Sequence, residues 1–332
     1  MTKYGKGKIV VTGGAGFIGS ALIWALNEQG INDIIVVDYK DKSEKFKNLE
    51  PLAYDDFLEA DSFLDKIHAS PHLFKEIRTI FHLGACSSTT ERNVRYLIDN
   101  NYIYTKRLAH WALERDIRFI YASSAATYGD GSHGLSDKST QLNQLRPLNL
   151  YGYSKHLFDI YAQHKGLLDK IVGLKYFNVF GPNENHKGDM RSVVNKAFHQ
   201  ISESRKVKLF KSYRPEFKDG EQKRDFLYVK DAVAMTLYLA EEKEKAGIFN
   251  IGSGTAITWK NLVSPIFQAM NYEERIEFID MPELLRSKYQ YFTQADISRL
   301  QENGYNASIT EISSAVGDYI KNYLIPDKHL GE

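Results

Sequence analysis

A tyrosine and a lysine four residues apart give this sequence its clearest chemical signal. Tyr151 and Lys155 fall in a helix-forming stretch, where both side chains project from one face. A free phenol ionises near pH 10, so a tyrosine base at neutral pH needs a depression of roughly 3 pKa units, about 4 kcal/mol. A neighbouring ammonium supplies much of that stabilisation. The pair predicts a tyrosine that deprotonates an alcohol, with Lys155 as its cationic partner.

Two neighbouring residues complete this catalytic hypothesis. Ser124 follows the end of an apolar run, where its hydroxyl can hold a substrate hydroxyl by hydrogen bonding. Tyr153 is the competing candidate for the base, but its spacing from Lys155 puts it off the shared face, and we interpret it as structural. Tyrosine and lysine also meet at this spacing by chance on amphipathic helices, so the pair needs further support.

A glycine-rich turn near the start of the chain provides that support. Gly13, Gly16 and Gly19 follow a β-branched run at residues 8–12 and open a stretch with helical spacing. These glycines suit a tight turn, a close approach of the backbone to a pyrophosphate, and close packing of helix on sheet. The helix N-terminus then attracts phosphate. Asp38, which ends the next apolar run, can accept a hydrogen bond from an adenosine ribose, so the pattern predicts a dinucleotide site.

The residues alone leave the choice of dinucleotide open. Asp38 repels a 2′-phosphate, which favours NAD. Lys40, Lys42 and Lys45 follow closely and can attract that phosphate, which favours NADP, unless they form only a solvated loop.

Composition narrows the function classes. The chain has 332 residues, with 43 Lys+Arg against 42 Asp+Glu and a net charge of +1, so no overall field recruits nucleic acid or an anionic bilayer. No stretch approaches the roughly 20 apolar residues that span a membrane. The single cysteine, Cys86, fits a cytoplasmic protein and is interpreted as a packed loop thiol, because no histidine partner is apparent. The histidines show no metal-ligand spacing, and we predict no metal.

The apolar runs alternate with helical stretches, which predicts a parallel sheet covered on both faces. We therefore expect an α/β fold with a Rossmann-type, doubly wound parallel sheet and a smaller, interleaved α/β substrate lobe. Residues 1–177 plus 225–253 are assigned to the cofactor-binding domain and residues 178–224 plus 254–332 to the substrate lobe. Ligands should bind at the carboxyl edge of the sheet. Predicted strands cover residues 8–12, 34–37, 79–82, 119–122, 171–177, 225–229 and 248–251; predicted helices cover 17–29, 94–114, 151–168 and 231–242; a loop covers 211–223.

Several longer strings extend these motifs. The segment Gly13 to Gly19, Tyr151 with Lys155, residues 176–182 and residues 224–226 resemble the extended short-chain dehydrogenase/reductase family, which mostly remodels nucleotide sugars. Residues 84–91, 121–129, 186–188 and 289–296 resemble, more narrowly, the members of that family that are heptose 6-epimerases. This resemblance covers nearly the whole chain.

The resemblance implies an activity and a mechanism. C6 of ADP-D-glycero-D-manno-heptose would give its hydride to NADP, with NAD as the alternative, while Tyr151 takes the hydroxyl proton. The transient ketone would turn and be reduced on its other face, giving ADP-L-glycero-D-manno-heptose for lipopolysaccharide core synthesis. Lys187 matches the second acid/base group, although without the resemblance it reads as a solvated loop lysine. The resemblance further implies a cytoplasmic homo-oligomer, a homopentamer.

The resemblance also assigns ligand contacts residue by residue. Arg224 has a physical role as well, because its planar fork can bind a diphosphate through two parallel bonds, although a surface salt bridge to Asp225 or Glu221 is the alternative. Substrate contacts match Ser124, Asn178, Asp189, Lys196, Phe210, Arg224 and Tyr289. Cofactor contacts match Gly13, Gly16, Phe17, Ile18, Gly19, Asp38, Tyr39, Lys45, Leu83, Gly84, Ala85, Cys86, Ser87, Asn100, Tyr151, Lys155, Val179 and Lys187.

Three positions depart from the subfamily pattern. Ala60 stands in place of a lysine, Leu83 in place of a glutamate and Asp189 in place of a small hydroxyl residue. These departures bear on the cofactor and the sugar contacts and leave the chemistry unchanged. Beside the epimerase hypothesis, two other functions stay open. One is a different nucleotide-sugar epimerase or dehydratase on the same scaffold, and the other is a non-catalytic module that senses NADP.

Overall fold

The computed structural model describes residues 4, 7–40, 44–138, 141–242, 244–286 and 289–332, so Lys42 lies outside the described residues. The described strands are β1 Lys8–Thr12, β2 Ile34–Asp38, β3 Asp56–Glu59, β4 Ile77–His82, β5 Arg118–Ser124, β6 Val172–Tyr176, β7 Asn178–Phe180, β8 Val207–Phe210, β9 Lys223–Tyr228, β10 Gly247–Ile251, β11 Ala256–Thr258 and β12 Ile276–Ile279. The described α-helices are α1 Phe17–Asn27, α2 Ala60–Ala69, α3 Val94–Leu97, α4 Tyr104–Leu113, α5 Leu150–His164, α6 Val193–Ser204, α7 Val229–Ala240, α8 Trp259–Ala269, α9 Glu283–Arg286, α10 Ser298–Glu302 and α11 Ile312–Tyr319.

Short 3-10 and π-helical segments complete the helical elements. A π-helical segment, Ile98–Ile103, joins α3 to α4 into one continuous helix, and a second, Ile320–Leu324, extends α11. The 3-10 turns are Glu44–Leu49, Pro71–Phe74, Ala125–Tyr128, Leu142–Gln144, Leu167–Asp169 and Asn185–Met190.

A seven-stranded parallel sheet forms the centre of the molecule, in the order β10-β6-β5-β4-β1-β2-β3. Its strands are runs of β-branched and aromatic residues because both faces are covered. In β1, Ile9 and Val11 pack with α1 and α7 on one face, whereas Val10 packs with α2, α4 and α5 on the other. This alternation produces two apolar cores, one on each side of the sheet. The predicted doubly wound α/β fold is confirmed.

Two small sheets lie outside the central one. Strand β9 pairs with β7 in parallel and with β11 antiparallel, and β12 pairs with β8. Residues 211–222 form the predicted loop without helix or strand. The predicted helix that includes Tyr151 ends at His164 rather than near residue 168, because Gly166 adopts a left-handed conformation with φ of 65°. The division into two domains stays a prediction.

Within the described part of the chain, no helix combines the length and apolar character needed to cross a membrane.

Candidate active site

The glycine turn between β1 and α1 is built for close backbone approach. Gly13 has a φ of 68°, and a Cβ on it would lie 2.7 Å from the Cα of Gly84. A Cβ on Gly19 would lie 2.1 Å from the carbonyl oxygen of Gly13, so α1 packs directly on the turn. Gly16 is the N-cap of α1 and offers no side chain, which leaves the first-turn amides accessible to an anion. These features fit a dinucleotide pyrophosphate.

Asp38 ends β2 beside this turn and is almost fully buried. Its carboxylate accepts hydrogen bonds from the amide of Ala15 at 2.9 Å and from the ammonium of Lys45 at 3.1 Å. Lys45 is also buried, in the 3-10 turn Glu44–Leu49. The carboxylate predicted to bind ribose is therefore paired with a lysine predicted to attract a 2′-phosphate. Lys40 is exposed, with its amide bonded to the Glu59 carboxylate at 3.1 Å.

A cavity of about 400 Å³ opens over the glycine turn at the carboxyl edge of the sheet. Its wall includes Ala60 and Leu83, two of the positions that depart from the subfamily pattern. Tyr151, Lys155 and Val179 are not among its lining residues. The predicted cofactor contacts that line it are Gly13, Gly16, Phe17, Ile18, Gly19, Asp38, Tyr39, Lys45, Leu83, Gly84, Ala85, Cys86, Ser87, Asn100 and Lys187.

His82 lines the same cavity and was missed by sequence reasoning. Its ring is 1% exposed, with Nδ1 2.7 Å from the hydroxyl of Thr12 and Nε2 2.8 Å from the hydroxyl of Thr105. Burial, with a smaller contribution from the charge of Lys155, lowers the pKa of His82 to about 3. The ring is therefore neutral at physiological pH. The sequence feature that could have identified His82 as a site residue is its position at the end of an apolar strand.

Asn101, next to the predicted contact Asn100, was also missed. It lies in the π-helical segment Ile98–Ile103, a type of distortion that often marks functional sites. Its side-chain oxygen accepts from the amide of Cys86 at 2.9 Å. Its side-chain nitrogen donates to the carbonyl of Cys86 and to the hydroxyl of Ser154, both at 2.9 Å. Asn101 thus ties the loop after β4 to helix α5.

Helix α5 brings Tyr151 and Lys155 against the end of β5. The side chain of Asn149 caps the helix by accepting from the amide of Gly152 at 2.8 Å. A Cβ on Gly152 would lie 2.7 Å from the carbonyl oxygen of Ala126, in the turn that follows Ser124, so only glycine allows this approach. Lys155 is 4% exposed and Tyr151 is half-buried. Tyr153 is 49% exposed, off the face they share.

The ionisation of the catalytic pair differs from the expected pattern. Burial raises the pKa of the Tyr151 phenol, and a hydrogen bond with Ser124 opposes that rise. Burial lowers the pKa of Lys155 to about 8, opposed by Asp159. The ammonium of Lys155 donates to the carbonyl of Ala122 at 2.8 Å. The expected depression of the Tyr151 pKa is absent in this structure because burial of the phenol dominates.

Lys187 lies beside the glycine turn, in the 3-10 turn Asn185–Met190. Its ammonium is 5.0 Å from the ring centroid of Phe17, the first residue of α1. Burial lowers the pKa of Lys187, and the fully buried carboxylate of Glu184 opposes that effect. Glu184 accepts from the amide and hydroxyl of Ser192 at 2.5 and 2.7 Å, which fixes the base of the turn.

Two of the predicted substrate residues, Tyr289 and Phe210, form an aromatic cluster beside the buried guanidinium of a third, Arg224. The Arg224 guanidinium carbon lies 5.3 Å from the ring centroid of Tyr289, and Phe210 meets the same ring edge-on at 6.4 Å. The indole nitrogen of Trp259, which sequence reasoning missed, donates to the Tyr289 hydroxyl at 2.9 Å. Burial lowers the pKa of Arg224 to about 10, which still leaves the group charged at neutral pH.

The alternative role for Arg224 was a surface salt bridge to Asp225 or Glu221. Neither carboxylate pairs with Arg224. Its guanidinium donates to the backbone carbonyls of Lys223, at 3.1 Å, and Gln290. The Asp225 carboxylate instead accepts from the amides and hydroxyl of a loop beyond β10 and from the Ala295 amide. Glu221 pairs with Lys260 at 3.6 Å.

The remaining substrate residues lie elsewhere. The ammonium of Lys196 donates to the backbone carbonyl of Asp189 at 2.5 Å, close to the Lys187 turn. Asn178 donates to the carbonyl of Asp225 at 2.8 Å. A separate cavity of about 1000 Å³ borders Tyr289 and Arg214 but lacks the glycine turn and Lys187, which line the smaller cavity, so we assign the chemistry to the smaller cavity.

Comparisons with known proteins identify the family of this chain. A model of the NAD dependent epimerase/dehydratase family matches residues 9–252. The ADP-L-glycero-D-manno-heptose-6-epimerase of Nitratidesulfovibrio vulgaris strain Hildenborough is 50% identical over 323 residues, covering 97% of this chain and 99% of that protein. The crystal structure of the Helicobacter pylori ADP-L-glycero-D-manno-heptose-6-epimerase has a TM-score of 0.79 at 27% identity and covers 97% of each chain.

A structure with bound ligands is also similar. The UDP-glucuronic acid 4-epimerase of Bacillus cereus, in complex with UDP-glucuronic acid and NAD, has a TM-score of 0.76 at 25% identity and covers 95% of this chain and 99% of that chain. From the family match and the full-length relatives together, this chain belongs to the NAD dependent epimerase/dehydratase family.

Proposed function

We propose that this chain is an epimerase that inverts C6 of ADP-D-glycero-D-manno-heptose, with no net redox change. The relative at 50% identity supports the substrate. Among the structural observations, the position of Lys187 carries the proposal. An inversion exchanges protons with the substrate from two sides, and Lys187 lies beside the glycine turn as a second acid/base group in addition to Tyr151.

The residues present fit a nicotinamide dinucleotide, through the glycine turn, the accessible first turn of α1 and Asp38. When bound, that cofactor supplies a hydride acceptor that later returns the hydride.

The protein's own groups handle the protons. Ser124 holds the C6 hydroxyl by hydrogen bonding, and Tyr151 takes its proton as the C6–H bond breaks with its electron pair. The buried ammonium of Lys155 provides a positive charge for the phenolate that this transfer requires. After the ketone turns, C6 regains a hydride on its other face and Lys187 delivers the proton to the oxygen. The C6–H and O–H bonds that are broken in the oxidation are thus both re-formed in the reduction.

We infer that NADP is preferred to NAD. Lys45 neutralises Asp38, the carboxylate that would otherwise repel a 2′-phosphate, and Lys40 is exposed nearby. NAD, which is bound in the Bacillus cereus relative, is the competing cofactor.

The proposed substrate contacts are the aromatic cluster around Arg224 and four further residues. Arg224 binds the diphosphate through its buried charge, with Tyr289 and Phe210 around it. Ser124, Asn178, Asp189 and Lys196 contact the sugar side.

We further propose a cytoplasmic homopentamer, on the basis of the subfamily resemblance. The single cysteine suits a reducing compartment. Light scattering coupled to size-exclusion chromatography measures the assembly, and a monomer at micromolar concentration contradicts it.

Incubation with ADP-D-glycero-D-manno-heptose in deuterated water tests the activity. The purified chain, with the cofactor it retains, should invert C6 without incorporating solvent deuterium there, as followed by NMR. Deuterium at C6 would instead indicate proton abstraction from carbon and would refute the hydride route. Turnover of UDP-sugars with the heptose unchanged would favour another epimerase or dehydratase of the family.

The Tyr151→Phe variant separates an enzyme from a sensor. Binding alone requires no phenol, so a sensor keeps its biological activity in this variant. An epimerase loses about 10²- to 10⁴-fold in turnover, the usual contribution of a general acid/base, while still binding cofactor.

A further inference from the structure

A fully buried ion pair lies directly behind the catalytic lysine. Asp159 of α5 and Lys175 of β6 are each 0% exposed, and their carboxylate and ammonium are 2.7 Å apart. The same carboxylate accepts from the hydroxyl of Tyr121 at 2.9 Å and from the hydroxyl of Ser123 at 2.7 Å. One buried carboxylate therefore gathers three donors from two strands of the central sheet.

The lysine of this pair is also fully engaged. Its ammonium donates to the hydroxyl of Thr127 and lies 4.9 Å from the ring centroid of Tyr128. Transfer of two charges from water into a protein core is costly, and apolar residues of similar size are often at least as stable. Stability alone therefore gives no reason for Asp159 and Lys175 to be charged.

Their location gives such a reason. Asp159 lies one helical turn beyond Lys155 and two beyond Tyr151, on the same face of α5. Ser123 adjoins Ser124, and Lys175 is its register partner across β5 and β6. The carboxylate thus joins the helix that carries the base to the strand end that carries the substrate-holding serine.

We propose that Asp159, with Lys175, is a positioning residue for epimerisation: it holds α5 against β5 so that Tyr151 and Ser124 reach one hydroxyl, and it places a negative charge one helical turn from the ammonium of Lys155. This inference rests on the proposed function. It adds a role to two fully buried residues that do not line the cofactor cavity.

The effect of Asp159 on Lys155 depends on which ionisable groups surround the ammonium of Lys155. Tyr151 and Asp159 face it from its own helix, Cys86 faces it from the loop after β4, and His82 of β4 is neutral. Burial lowers the pKa of Lys155 to about 8, and Asp159 is the larger of the opposing influences. Without that carboxylate charge the pKa falls further, so the ammonium and the activity that needs it are lost at a lower pH.

Two variants separate this role from a purely structural one. Asp159→Asn removes the charge but leaves Lys175 without its counter-ion, whereas Asp159→Asn/Lys175→Met removes both charges from the core. Asp318→Asn is the matched control, because it breaks a 2.8 Å ion pair with Lys230 that lies away from the catalytic residues.

The first measurement is the dependence of kcat on pH. Both Asp159 variants should move the alkaline limb of the profile down by about one pH unit and lower kcat at pH 8 about fivefold, with KM little changed. Asp318→Asn should keep the wild-type profile. A wild-type profile in the folded double variant overturns the proposal.

The second measurement is independent of the substrate. A ¹³C NMR titration of labelled lysine, with Lys155 assigned through Lys155→Met, reports the ionisation of Lys155 directly. A wild-type chain that leaves the heptose unchanged would refute the proposed function, whereas an unchanged Lys155 titration in Asp159→Asn would refute the role of Asp159.

Discussion

At the scale of single residues, burial is the main influence on the ionisable groups of the site. It lowers the pKa of Lys155, Lys187 and His82 and raises that of Tyr151. Spacing in the sequence places Tyr151 and Lys155 on one helix face, and that prediction is confirmed. Burial and partners cannot be predicted in this way, because Asp159 and Lys175 meet only after α5 packs on β6.

The role of Lys187 is open to a direct test. Lys187→Ala should lower inversion at C6 about 10²-fold or more, because the proton for the second face is lost. Oxidation on the Tyr151 side should persist as a transient rise in reduced-nicotinamide absorbance. Lys208→Ala, which removes an exposed lysine of β8, is the control. Wild-type turnover in Lys187→Ala would remove Lys187 from the mechanism.

Lys45 provides the test of cofactor choice. Lys45→Met removes the ammonium that lies 3.1 Å from Asp38 and leaves that carboxylate uncompensated. Binding of NADP should weaken by about tenfold more than binding of NAD, a difference of about 1.4 kcal/mol, measured by titration calorimetry. Equal weakening of both dinucleotides would show that Lys45 does not recognise the 2′-phosphate.

At the scale of elements, the parts that are easiest to predict are those whose structure is determined by the local sequence alone. Strands β1, β2 and β5 each contain a continuous apolar run, and Gly13 to Gly19 specify the first turn. The short strands β7 and β11 have three residues each and contain no comparable pattern. Their pairing with β9 depends on contacts between distant parts of the chain. Such pairings are outside the reach of local periodicity.

The glycine turn gives a prediction for an element. Gly19→Ala forces a Cβ to within 2.1 Å of the Gly13 carbonyl oxygen, so α1 must move away from β1. We expect a loss of about 1–3 kcal/mol in unfolding free energy and weaker cofactor binding. Gly317→Ala in α11 is the control, because its Cβ meets no atom within 4 Å. It should stabilise the chain by up to about 1 kcal/mol. Equal behaviour of the two variants in urea would contradict the packing argument.

At the scale of the whole molecule, distant segments are joined by buried polar groups. Asp137 accepts from the amide of Asn250 in β10 at 2.6 Å, while its Oδ1 has no hydrogen-bond partner within the described residues. Burial accordingly raises its pKa to about 6. The folded protein thus holds a proton on Asp137 that the unfolded chain releases at lower pH.

This carboxyl predicts a pH dependence of stability. Because the folded pKa is above the unfolded value, its stabilising contribution is complete below pH 3.8 and is lost as pH rises through about 6. Relative to wild type, Asp137→Asn should gain up to about 3 kcal/mol in unfolding free energy between pH 4 and pH 8. Urea unfolding at both pH values measures this. The exposed carboxylate variant Asp33→Asn controls for net charge, and a difference between Asp137→Asn and wild type that does not change with pH contradicts the prediction.

Strand β10 leaves the ribosome long after its neighbour β6, since β7, β8 and β9 lie between them in the chain. Until β10 has been translated, the nascent protein carries β6 as an unprotected edge made of buried-type residues. Such edges invite association with other unfinished chains. We therefore expect chaperone capture during synthesis, and polypeptides truncated before residue 247 should accumulate as insoluble material.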